Sequence, residues 1–178
     1  AVDNYLNHDA LALLERSLEV ENEPERRIRL LLKLGKVRHH LGRWPEADET
    51  AARALAAARN IGAEDLIADV QLRRAVQLHF ANRYREAEEA VAECLTHYQR
   101  CRDTGKTIDA LGVRAMIHQG RSEFPRALEV MEGAHELATE LGDDSHMAHT
   151  LGRLGLIHYE LGDFERAVDA LERARDLF

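Results

Sequence analysis

Four stretches decide the fold: LGRWPEA (41–47), ANRYREA (81–87), RSEFPRA (121–127) and LGDFERA (161–167). Each places an aromatic residue (Trp44, Tyr84, Phe124, Phe164) three positions before an alanine (Ala47, Ala87, Ala127, Ala167), and equivalent positions are always 40 residues apart. The period extends outward in both directions. Small residues recur at Gly35, Ala75, Ala115 and Gly155, twelve before each closing alanine, and at Ala54, Cys94, Ala134 and Ala174, seven after it. A sustained period of this length marks stacked repeats, each too small to bury its apolar face alone.

Every column has a physical reason. The small residue before the turn falls midway along a first helix, and the alanine falls early in a second. Two helices crossing there approach closely only if neither side chain is bulky. The aromatic at the start of the second helix is expected to plug the gap beside the tight turn. Pro45 and Pro125 lie in a first helical turn, where a missing N–H costs nothing. Gly42, Gly62, Gly142 and Gly162 suit helix ends, and Asp143-Asp144-Ser145 offers N-caps. The pattern predicts helices over 8–21, 25–41, 44–60, 64–81, 84–101, 104–120, 124–141, 145–161 and 164–178, with Glu21-Asn22-Glu23-Pro24 as the first connection. The expected fold is all-α: a right-handed solenoid of antiparallel helix pairs, about nine helices. Residues 1–178 read as a single solenoid, with 1–23 a truncated preceding unit and repeats at 24–63, 64–103, 104–143 and 144–178. Without an initial Met, and ending inside the helical run ARDLF, the chain reads as a fragment of a larger protein.

Composition agrees. Apolar residues are 45% of the 178, aromatics only 5%, and prolines number three, so strong helix formers dominate and sheet is disfavoured. A formal charge of −8 argues against a general nucleic-acid binder, which carries a basic footprint. Cys94 and Cys101, seven apart in one helix, stand about 10 Å apart along it. That exceeds disulfide reach, so they read as reduced thiols of a cytoplasmic protein. No stretch approaches the roughly 20 apolar residues of a membrane span, and no signal peptide is visible.

The run LxxLGxxxxxLGRW with its paired alanines resembles the tetratricopeptide repeat. LLKLGKVRHHLGRWPEA in repeat one and LGRLGLIHYELGDFERA in repeat four fit best. Repeat two departs with Arg74 and Ala81, and repeat three with Arg114 and Arg121, at positions that usually hold leucine. The family norm is about 34 residues, so these units are longer, as in helical modules of bacterial regulators. The resemblance implies a concave groove lined by the first helices, where partners usually bind.

Transferring the groove positions selects Arg29, Leu32, Lys33, Lys36, His39 and His40 in repeat one, and Asp69, Leu72, Arg73, Val76, His79 and Phe80 in repeat two. Repeat three contributes Asp109, Gly112, Val113, Met116 and Gln119; repeat four contributes His149, Gly152, Arg153, Leu156, Tyr159 and Glu160. The first half of this stripe is basic against an acidic chain, and the second half is more apolar. It suits a protein or peptide with an acidic portion and an apolar anchor. The alternative is that these charges only solvate an exposed helix face. A clamp for a partner's terminal carboxylate, known in some family members, is not expected: its positions hold Leu32, Lys36, Arg73, Asp109 and Val113, where Lys36 replaces an asparagine, Asp109 replaces a lysine and no asparagine completes the set.

Chemistry has little footing. His39 and His79 are equivalent one repeat apart, as are His118 and His158, but helices packed about 8–10 Å apart hold such pairs too widely for one ion. His146 and His149 share a face without a third ligand in sequence. Cys94 falls in the small-residue column, and no Cys–His pair of fixed geometry is legible for Cys101. Phosphate-loop, dinucleotide and nucleophile-elbow motifs are absent from the sequence. The expectation is a chain with no catalytic, cofactor or metal site, no nucleic acid and no membrane. The leading function is a protein- or peptide-binding scaffold module. A sensory or autoinhibitory domain answering a small ligand or signalling peptide is the second reading, and an oligomerisation module self-associating through exposed terminal repeats is the third.

Overall fold

The structure is a computed structural model that describes residues 2–177, with side chains from His8 onward. Among the described residues it holds nine helices and no strand. They are α1 (Val2–Val20), α2 (Pro24–His40), α3 (Trp44–Asn60), α4 (Glu64–Phe80), α5 (Tyr84–Arg100), α6 (Thr104–Gly120), α7 (Phe124–Leu141), α8 (Asp144–Glu160) and α9 (Phe164–Asp176). Residue 178, inside the last expected helix, lies outside the described residues. Pro24 opens α2 and does not belong to the connection: the Glu23 carboxylate accepts from the N–H groups of Glu25 and Arg26 at 3.1 and 2.7 Å, and proline needs no such bond.

The turns reveal a finer period than the 40-residue one. Residues 42, 62, 82, 102, 122, 142 and 162 all have positive φ, between 57° and 79°, one turn every 20 residues. At Gly42 the N–H reaches His39 O at 3.0 Å, and the next N–H reaches Arg38 O at 2.9 Å. This bonding satisfies carbonyls that the ending helix leaves open. Glycine takes this conformation freely, yet Asn82, Arg102 and Ser122 adopt it too. The glycines mark four of the seven turns, which is why the sequence shows only half of the rhythm.

The chain forms two compact units, 1–83 and 84–178. In the first, Leu11, Leu18, Ile28, Leu34, Leu55 and Val70 belong to one core cluster. A Cβ at Gly35 would meet Gln77 Nε2 at 3.4 Å, Thr50 Cγ2 at 3.7 Å and Ala47 O at 3.9 Å, ordinary contacts that leave room for alanine but not for a bulkier side chain between α2 and α3. Arg38 ties three helices together, reaching Glu15 Oε1 at 2.9 Å and Thr50 Oγ1 at 2.6 Å.

In the second unit, Ile108, Ala115, Met131, Ala134, Leu154 and Ile157 share a cluster. A Cβ on Gly155 would stand 2.7 Å from Leu171 Cγ and 3.1 Å from Ala167 O, so that crossing requires the small residue. Arg114, one of the departures from leucine, pairs with Glu88 at 2.7 Å, and Arg121 pairs with Glu123 at 3.0 Å. The aromatic column does not behave uniformly. Tyr84 packs against Gly120, but Trp44 and Phe164 are 53% and 61% exposed, so they do not plug their turns.

Candidate functional site

In the first unit, α2 and α4 pack side by side and bring their selected residues onto one face. Arg29, Lys33, Lys36 and His40 are exposed, while His39, Asp69, Arg73, Val76 and His79 are half-buried. Phe80 remains 49% exposed. The helix ends converge there: the Phe80 ring centroid lies 4.9 Å from that of His39 and 5.1 Å from that of His79. Among the described residues Arg29 makes a loose surface pair with Glu25 at 3.9 Å, a contact worth little.

Arg73 is the centre of this face. Burial lowers its pKa, although a guanidinium stays charged. No carboxylate pairs with it among the described residues. Burial first, then the charges of His40 and Arg73, holds the His39 pKa below that of a free imidazole. The face therefore presents a partly desolvated guanidinium beside a neutral imidazole and an exposed phenyl ring.

The second unit repeats the arrangement on α6 and α8. Asp109 and His149 are exposed; Met116, Gln119 and Arg153 are half-buried. Leu156 and Tyr159 are 54% and 60% exposed. Arg153, 80 residues after Arg73, occupies its place two repeats on. Its guanidinium donates to His149 Nε2 at 3.2 Å and towards Met116 Sδ at 3.0 Å, with no carboxylate partner among the described residues. Burial lowers the pKa of Arg153, and burial followed by the Arg153 charge lowers that of His149, with Asp109 opposing.

Val113 departs from the expectation. Only 8% exposed, it belongs to the interior, since its short side chain stays beneath a surface that Lys33, Arg73 and Arg153 reach by length. His146, weighed in the sequence only as a metal ligand beside His149, instead meets carboxylates: its Nε2 lies 3.8 Å from Asp109 Oδ1 and its Nδ1 lies 3.1 Å from Asp143 Oδ1. A further correction concerns Cys101: its Sγ lies 3.6 Å from His97 Nε2, a Cys–His pair one helical turn apart. No helix among the described residues is long and apolar enough to cross a membrane.

The tetratricopeptide-repeat family matches residues 30–63 and again 106–178. The chain is a tetratricopeptide-repeat protein. No curated protein sequence is significantly similar to it. Among solved structures, its fold is similar to BtubC (BKLC) from P. vanneervenii, with a TM-score of 0.78 at 20% identity, covering 96% of this chain and 72% of that one. It is also similar to a Rap protein complexed with Competence and Sporulation Factor, with a TM-score of 0.81 at 18% identity, covering 92% of this chain and 46% of that one. A third neighbour is Bacillus thuringiensis PlcR in complex with the peptide PapR7 and DNA, with a TM-score of 0.76 at 13% identity, covering 98% and 64%. At these identities the likeness is one of fold: a solenoid of tetratricopeptide-like helix pairs.

Proposed function

We propose that this chain is a protein- or peptide-binding scaffold module of a larger signalling or regulatory protein, and that its first-helix faces receive the partner. The carrying observation is the pair of equivalent arginines, Arg73 and Arg153. Each is half-buried, lacks a carboxylate among the described residues, and shares its face with exposed apolar side chains: Phe80 in one unit, Leu156 and Tyr159 in the other. A partly desolvated guanidinium is matched by a ligand carboxylate, and an exposed ring by an apolar side chain. The partner is accordingly a peptide segment with an acidic portion and an apolar anchor. Solved neighbours of the same fold carry bound ligands: the Rap protein is complexed with Competence and Sporulation Factor, and PlcR with the peptide PapR7. The chain spans 46% and 64% of those two proteins, which supports a module serving a larger chain.

Selection of random peptides on the immobilised chain tests the reading. Enrichment of sequences joining Asp or Glu to an apolar residue supports it; enrichment of basic sequences, or of none, contradicts it. The same neighbours favour a sensory role as the second reading. That role requires the selected peptide to act on an attached effector, not only to bind.

A further inference from the structure

The end of α5 carries a feature that peptide binding does not use. His97 is buried, at 9% exposure, and Cys101 follows it at i+4, where the thiol is exposed. Cys101 caps the helix through its N–H to His97 O at 3.0 Å, so the last turn of α5 fixes the relation between the two side chains. Sγ and Nε2 face each other at 3.6 Å. A tetrahedral zinc ion bound at about 2.0–2.1 Å to nitrogen and about 2.3 Å to sulfur holds those two atoms about 3.6 Å apart.

The geometry points to a binding site for a borderline-soft divalent cation such as Zn²⁺, with His97 Nε2 and Cys101 Sγ as ligands. Both atom types suit zinc and exclude hard ions such as Mg²⁺. Two protein ligands leave further coordination positions to solvent or to another donor.

Arg100 sets the proton arrangement that binding must change. Its Nη2 lies 3.2 Å from His97 Nδ1, and a guanidinium only donates, so Nδ1 accepts and the proton of the neutral ring sits on Nε2. When M²⁺ binds, the ring proton moves to Nδ1, the thiol proton leaves to solvent, and one metal–nitrogen and one metal–sulfur bond form. One proton is released, and the complex keeps one positive charge from the ion. Arg100 must let go of Nδ1, so the wild-type arrangement opposes binding.

Titration of the reduced full chain with Co²⁺, followed by absorption, tests the assignment. One equivalent per chain is expected to give a thiolate-to-cobalt band in the near ultraviolet, and Zn²⁺ is expected to displace it. Cys101→Ser should abolish the band, whereas Cys94→Ala should keep it, since alanine already fills that column at Ala54, Ala134 and Ala174. Arg100→Ala, which leaves both ligands and the buried imidazole in place and frees Nδ1 to carry the ring proton, should bind about tenfold more tightly. His97→Gln should also lose the band; if that variant fails to fold, the Arg100→Ala result carries the histidine assignment. Absence of a band in the wild type, its survival in Cys101→Ser, or weaker binding by Arg100→Ala would overturn the proposal.

Discussion

The imidazole of His39 lies 4.9 Å from the ring of Phe80, joining the ends of α2 and α4 on the face that also holds Arg73. Burial, ahead of the charges of His40 and Arg73, depresses the pKa of this imidazole. His135 and His149 are depressed as well, each mainly by burial. Their sign is the same: the unfolded chain holds more protons between the folded pKa and the ordinary value of about 6.5. The stability these three contribute is complete above that value and is lost as pH falls through the window below it. The melting temperature should therefore be lower at about pH 5.5 than at about pH 7.5, and the drop should shrink in His39→Gln. A melting temperature that rises on acidification contradicts this.

The positive-φ turns make a second test. Arg102 and Ser122 occupy a conformation that costs an L-residue about 1–2 kcal/mol, offset in part by the flexibility glycine adds to the unfolded chain. Arg102→Gly and Ser122→Gly should each stabilise by roughly 1 kcal/mol, or about 2–4 °C in melting temperature. Gly62→Ala should destabilise by a similar amount. Denaturant midpoints with unchanged slopes would measure both.

Glycines inside helices divide by what stands beside them. A Cβ at Gly120 would lie 2.6 Å from Tyr84 Cε1, so Gly120→Ala must displace a half-buried ring and should cost about 1–3 kcal/mol. Gly133 has nothing within 4 Å of the same position, so Gly133→Ala should stabilise by about 0.5–1 kcal/mol. Equal effects of the two substitutions would show that Tyr84 does not hold its place.

Arg38 gives a test of the first unit. Its guanidinium bonds Glu15 and Thr50 from a largely buried position. Arg38→Met should cost about 2 kcal/mol by leaving those partners without their donor. Thermal melts of Arg38→Met, Glu15→Gln and the double variant separate that pair from the simple loss of packing.

The architecture was legible because backbone approach dictates residue size. Gly35, Ala75, Ala115 and Gly155 can only be small where helices cross, and such constraints repeat with the fold. The turns were half legible, because Arg102 and Ser122 adopt the glycine conformation without the glycine residue type. The faces were harder to read. Placing Val113 among surface residues followed from its column, but depth depends on side-chain length, which a column does not encode. The Cys101–His97 pair escaped because only coordinates show two rotamers converging. His146 meeting Asp109 depends on the packing of α8 against α6, which repeat spacing alone does not resolve.

The central claim is that the first-helix faces bind an acidic and apolar segment, with Arg73 at the centre of one of them. The most direct measurement is the fluorescence-anisotropy affinity of a selected peptide for the wild type and for the Lys36→Glu, Arg73→Glu double variant, at matched salt. Loss of at least about tenfold in affinity, some 1.4 kcal/mol, with an unchanged melting temperature is the predicted result. Equal affinity of the two proteins for that peptide would contradict it.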